Sequence, residues 1–297
     1  MSPLHRACIG VLCGALAGCS VMVSLHGLSG GGEEVAPDEE GLLGADASAD
    51  PGPSLAGDAG DPPAHDGGDA GLPCPGTAGP VAIRIGDGTV SFCIDTTEVT
   101  NSQYAAFLAS SPSASAQPAI CSWNATFTPQ DRWPFASGEE DLPVGGVDWC
   151  DARAYCAWAG KRLCGKIGGG SLAPSERRNT SRSEWMYACT LAGTREYPYG
   201  STYVPAACVG EDSTGPRPAS VGTSPGCVGG PPGLFDMSGN IAEWDDSCVT
   251  SAGGPDDSCA YRGGEFFHSP EGLTCREVEV FPRNNTAPWG GIRCCGS

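Results

Sequence analysis

Gly233-Leu234-Phe235-Asp236-Met237-Ser238-Gly239-Asn240-Ile241-Ala242-Glu243-Trp244 packs two carboxylates, an amide and two glycines between large apolar side chains. Neither a plain strand nor a plain helix accommodates that mixture. Gly233 and Gly239 permit backbone conformations with positive φ. If the chain turns back at these glycines, Asp236, Glu243 and exposed carbonyls converge on one hard cation, as Ca²⁺ sites require. A polar turn between core-anchoring Phe235 and Trp244 satisfies the same residues.

Outward from this segment the 297-residue chain divides into three parts. Residues 1–18 carry Arg6 and then an apolar run from Ala7 to Ala17, the pattern of a secretory signal. The run is too short to span a bilayer. It ends in Leu16-Ala17-Gly18-Cys19, which resembles the bacterial lipobox, so Cys19 is the expected lipid-carrying first residue of the mature chain. An ordinary signal peptide followed by a chance cysteine is the alternative. Residues 19–73 are expected to form a disordered tether, because eleven acidic residues, no Lys or Arg, and mostly Gly, Ala, Pro and Ser leave nothing to offset ordering entropy. Those eleven acids supply more than half of the formal net charge of −19; removing their −11 and the +1 of Arg6 leaves −9 on the remainder, which argues against a nucleic-acid partner. Residues 74–297 are read as one folded domain.

Of seventeen cysteines, Cys8 and Cys13 leave with the signal and Cys19 carries lipid. The remaining fourteen, an even number in an exported chain, form a disulfide framework. No Cys-x-x-Cys pair supports a zinc site. Proximity in sequence pairs Cys208 with Cys227 and Cys248 with Cys259.

Val81, Ile83 and Ile85 alternate with polar or small residues, Asp87-Gly88 supplies a tight turn, and Val90, Phe92 and Ile94 alternate again, which predicts a β-hairpin. Thr100 and Gln103 form a capping box before Tyr104, Phe107 and Leu108. Asp148 caps a second predicted helix with Ala152, Tyr155, Cys156 and Ala159 inward, stopped by Gly160. Ser181 and Glu184 begin a third, with Trp185, Ala188, Cys189 and Ala192 on one face, stopped by Gly193. Elsewhere glycine and proline are too frequent for long elements. The expected class is α+β, irregular and disulfide-rich.

From Val81 to Cys295 the chain resembles the formylglycine-generating enzyme (sulfatase-modifying factor) family. The matching pieces occur in the family's order: Cys93–Asn101, Pro143–Trp149 with Ala154–Leu163, Ser183–Cys189, Tyr197–Gly200, the opening segment, Arg262-Gly263-Gly264 and Gly291-Ile292-Arg293-Cys294. The resemblance implies an irregular C-type-lectin-like (sulfatase-modifying-factor) fold. It implies disulfides Cys156–Cys294 and Cys189–Cys275. It also implies a calcium ion on the Asp236 and Glu243 side chains and the Gly239 and Ile241 carbonyls. A second family calcium site is in doubt, because Val209 stands where an asparagine side chain is expected.

The family's copper does not carry over. Active members hold it between two cysteines five residues apart after the Gly-Gly strand, and these positions fall on His268 and Leu273. Thiolates favour Cu(I), and leucine cannot ligate. Cys275 is nearby but assigned to Cys189; a rearranged His268/Cys275 pair is the remaining route to copper. His268 is the only histidine of the domain, expected on a surface or groove, and no Gly-x-Ser-x-Gly accompanies it. Gly168-Gly169-Gly170-Ser171 lacks the lysine and helix start of a phosphate loop. Calcium without copper is therefore the cofactor expectation. The expected function is a membrane-anchored monomeric binding or scaffold module of the cell envelope, taking a protein or glycan ligand. A divergent formylglycine-type oxidase is the alternative.

Overall fold

The computed structural model describes residues 73–213, 215–249 and 253–297. The signal at 1–18, Cys19 and nearly all of the 19–73 tether lie outside the described residues. The alternating residues after Pro80 form β1 (Ala82–Gly86) and β2 (Ser91–Asp95), an antiparallel hairpin. Its turn is held by Asp87, whose carboxylate accepts from the Thr89 and Val90 amides. This hairpin is half of a four-stranded sheet of order β1-β2-β8-β3, completed by β3 (Arg162–Leu163) and β8 (Cys294–Gly296). The second sheet has the order β6-β5-β4-β7, from β4 (Ala242–Cys248), β5 (Ser258–Arg262), β6 (Val278–Pro282) and β7 (Gly290–Gly291). Its pairs are antiparallel except β4 with β7.

Three helices frame the sheets. Thr100 begins α1 (Asn101–Ala109) with a reciprocal capping box: its hydroxyl accepts from the Gln103 amide while Gln103 Oε1 accepts from the Thr100 amide. Asp148 does the same with Asp151 for α2 (Trp149–Trp158). Each such cap contributes about 1 kcal/mol. For α3 (Glu184–Thr190) the cap is Ser183, not Ser181. The cap must adjoin the first helical residue to reach the amide three positions on; Ser181 instead donates to Asn179 Oδ1. Ala192 is also outside this helix, which ends through Leu191 in a left-handed conformation.

The aromatic half of the core joins α1, α2 and the second sheet through Tyr104, Phe107, Trp149, Tyr155, Trp244 and Tyr261. Trp244 stacks on Tyr261 across β4 and β5, centroids 3.7 Å apart. The other half packs α3 against β1 and β2 through Trp185, Ala188, Ile85, Phe92 and Ile94.

All fourteen cysteines of residues 74–297 are bridged. Cys156–Cys294 and Cys189–Cys275 are joined, as are Cys208–Cys227 and Cys248–Cys259. Cys74–Cys93, Cys121–Cys150 and Cys164–Cys295 complete the set. Seven bridges mark a protein made for an oxidising compartment. No helix among the described residues is long and apolar enough to cross a membrane.

Candidate functional site

The first half of the segment 233–244 is pinned by backbone bonds from Phe235 to Thr96 O (2.8 Å) and from Asp236 to Cys227 O (3.1 Å), the second half by one from Gly239 to Gly263 O (2.8 Å). Its turns use positive φ at Gly233 and Gly239, and also at Asp236 and Asn240, which are not glycine. Gly239 is required twice over: φ is +73°, and a Cβ would lie 2.1 Å from Val209 O. The chain then enters β4, which carries Glu243 and Trp244.

This path buries Asp236 and Glu243 beside Glu98, from the connection between β2 and α1. Arg293, also fully buried, reaches into the same place. It donates through Nε to Glu243 Oε1 (2.7 Å) and through its terminal nitrogens to Asp95 O and Phe235 O (2.8 Å each). Trp185 Nε1 donates to Glu243 Oε2 (2.6 Å), and the Gly222 amide donates to Asp236 Oδ2 (2.5 Å). Glu98 has less. Asn240 Nδ2 donates to its Oε1 (3.0 Å), but its buried Oε2 has no hydrogen-bond partner. Burial pushes the Glu98 carboxyl well above the usual range, and the Asp236 and Glu243 charges add to that against Arg293.

Three buried carboxylates thus share one guanidinium, and one carboxylate oxygen has no donor. An unsatisfied buried acceptor costs about 1–3 kcal/mol or more when charged. A hard divalent cation with oxygen ligands beside Glu98 would offset that deficit. Asp236, Gly239, Ile241 and Glu243 are the residues that would hold it, with Glu98 adjoining; both Glu243 oxygens would be shared with Arg293 and Trp185. Val209 offers no comparable fit for a second ion: its side chain is apolar and buried, and its carbonyl accepts from the Asn240 amide (2.8 Å).

The copper positions do not fit copper. Leu273 is buried against Gly210 and Gly239. Cys275 is bridged to Cys189 and offers no thiolate, which closes the His268/Cys275 route. His268 is not an open groove residue: its side chain is 22 % exposed and faces Glu265 Oε2 at 3.1 Å and Glu279 Oε1 at 3.8 Å. Its pKa is raised, first by the hydrogen bond with Glu265 and further by the charges of Glu265, Glu279 and Glu277, against desolvation.

Val209 also lines a cleft of about 710 Å³, together with Arg132, Glu139, Leu142, Asp212 and Arg217 among others. The Cys208–Cys227 bridge braces one wall. The cleft has the size of a ligand pocket and carries charges of both signs.

Sequence reasoning missed Glu98, Asn240 and Arg293 as members of the buried cluster. Glu98 could have been found as one of two acids, with Asp95, close behind the apolar strand residues Phe92–Ile94. Glu265 and Glu279 were missed because nothing local marks two acids fourteen residues apart as neighbours; the pairing of β5 with β6 brings them together.

Comparison with known proteins bears on the family. The mouse (Mus musculus) inactive C-alpha-formylglycine-generating enzyme 2 is 31% identical over 172 residues, covering 53% of this chain and 50% of its own. Hercynine oxygenase of Mycolicibacterium smegmatis is 34% identical over 132 residues, covering 42% and 26%. The chain therefore spans half or less of these relatives. Among solved structures, CarF matches with a TM-score of 0.45 at 20% identity, over 75% of this chain and 96% of its own. The sulfatase-modifying factor enzyme 1-like domain profile matches residues 87–297. That match takes in most of the chain, and it makes this protein a member of the sulfatase-modifying factor enzyme 1-like family.

Proposed function

We propose that this protein is a lipid-anchored binding or scaffold module of the cell envelope that has given up the family's copper oxidation. The observation that carries this reading is the pair His268 and Leu273 at the thiolate positions, with Cys275 held by Cys189. One imidazole and one leucine do not reproduce a bis-thiolate Cu(I) centre. The ligand, a protein segment or glycan, would occupy the cleft between Arg132 and Arg217. Purified protein loaded with Cu(I) and given a Cys-x-Pro-x-Arg peptide in air is expected to yield no aldehyde by mass spectrometry. Aldehyde that disappears in His268→Ala would overturn the reading and establish a divergent oxidase.

The anchor is supported by the Leu-Ala-Gly-Cys tetrad and the acidic stretch behind it. Stable attachment takes more than one acyl chain, which a lipidated and N-acylated Cys19 would provide. Cys19→Ala is expected to move the protein from the membrane to the soluble fraction; unchanged membrane association refutes the anchor.

A calcium ion on Asp236, Gly239, Ile241 and Glu243 is part of the same reading. It would be structural, neutralising the buried acids so that the wall carrying Val209 and Asn240 keeps its shape. The check is the melting temperature with and without chelator.

A further inference from the structure

The ring of His268 occupies a prepared space. A Cβ at Gly264 would lie 2.8 Å from His268 Nδ1, and one at Gly272 would lie 2.8 Å from the ring carbons. Gly264 also has φ +69°, so side chains are disfavoured there twice. A tight turn sets Glu265 and His268 on the same side: the His268 amide donates to Glu265 O at 2.9 Å. Glu279 enters from β6, in register with Tyr261 on β5. One ligand atom from each of Glu265, His268 and Glu279 falls within 4.8 Å of the others.

The donors are under-used. Glu265 is 2 % exposed, and its Oε2 faces only the His268 ring; the buried Oε2 of Glu279 has no hydrogen-bond partner. Nδ1 of His268 lies 3.1 Å from the Glu265 amide, a donor, and 3.1 Å from Glu265 Oε2, an acceptor. One ring nitrogen cannot match both. With a lone pair it serves the amide and leaves the carboxylate bare; with a proton it serves the carboxylate and opposes the amide. A cation on the carboxylates meets the charge that a proton must otherwise meet.

We propose that Glu265, His268 and Glu279 bind a divalent transition-metal ion, with zinc as the matching chemistry. One imidazole and two carboxylates form a three-ligand set of the kind that leaves a position for water. The part-exposed rims of His268 and Glu279, at 22 % and 30 %, give that position access to solvent. Thiolates play no part, and the ligand set shares only His268 with the copper locus. The site is independent of whether the domain binds a ligand in its cleft.

The test is calorimetric titration of ZnCl₂ into the full mature chain saturated with Ca²⁺. His26 and His65 lie outside the domain and offer competing imidazoles, so a His26→Ala/His65→Ala form is the reference. It is expected to bind one equivalent. Glu265→Gln, His268→Ala and Glu279→Gln are each expected to weaken binding by at least ten-fold, at or beyond the loss seen for groups supporting a metal ligand. Glu279→Gln is near-isosteric and sits on a partly exposed strand, so it reads the site without unfolding the domain. In the reference form, zinc should also shift the ring proton resonances of His268, the one histidine remaining in the mature chain. Absence of binding in the reference form, affinity unchanged by Glu279→Gln and His268→Ala, or unshifted ring resonances would each overturn the site and leave an imidazolium paired with two glutamates.

Discussion

Replacing Cys156 and Cys294 together by serine is expected to cost about 3 kcal/mol of stability, despite a sequence separation of 138. Cys164–Cys295 already ties the same two segments, so in the unfolded chain this bridge closes only the ring from Cys156 to Cys164 and from Cys295 back to Cys294, roughly ten residues, and loop-closure entropy gives that magnitude. Both sulfurs are fully buried, between α2 and β8, so the serine hydroxyls would also need partners that the core does not supply. A matched control is Cys208→Ser with Cys227→Ser, whose separation of 19 predicts about 3 kcal/mol. Guanidinium unfolding of both double variants, under conditions where the remaining bridges stay intact, is expected to show similar losses. A loss for Cys156–Cys294 that exceeds the short loop by several kcal/mol would show that the neighbouring bridge does not carry the closure.

Calcium removal is expected to lower the melting temperature by an amount that grows with pH. At a concentration one hundred times Kd the ion would contribute about 2.7 kcal/mol, because it binds only the native state. The sign of the pH dependence follows from Glu98. Its folded pKa is raised, so in the metal-free protein its contribution is fully present below its unfolded value, about 4.3, and is lost as pH rises through the folded value. Protons and calcium compete for the same buried acids. Chelation should therefore cost less at acid pH than at neutral pH. Glu98→Gln should flatten the metal-free decline, and Asp236→Ala should abolish the response to chelator. A response that is larger at pH 5, or equal in Asp236→Ala, would sink the calcium site.

What the sequence made legible follows a physical division. The β1–β2 hairpin and the caps Thr100 and Asp148 depend on residues a few positions apart, and their side-chain chemistry announces them. Ser181 misled because two serines flank Arg182, and only the helix start distinguishes them. The second sheet was illegible: β4 reads Ala-Glu-Trp-Asp-Asp-Ser-Cys, with acids where a buried strand should be apolar. Those acids are tolerated because distant arginines meet two of them, Arg293 at Glu243 and Arg262 at Asp245 (2.6 Å). The third, Asp246, is met by the Ser171 hydroxyl (2.9 Å). Partners that far apart leave no periodic trace. The grouping of Glu265 with Glu279 escaped for the same reason.

The position of β8 has a consequence for how the chain is made. Residues 294–296 are the last strand in sequence, yet they lie inside the first sheet, between β2 and β3. The Cys294 amide closes onto Asp95 across 199 residues of chain, and Cys294 and Cys295 each complete a bridge. A chain emerging from its N-terminal end can form the hairpin early but cannot close this sheet until residue 296 is out. During export, at a synthesis rate of about 5–20 residues per second, β2 waits some ten seconds or more beside an empty edge. Cys156 and Cys164 wait as well, exposed to mispairing with cysteines that emerge sooner. Disulfide shuffling after release is thus built into the order of the sequence, and a catalyst of thiol exchange in the same compartment would set the yield of the folded protein.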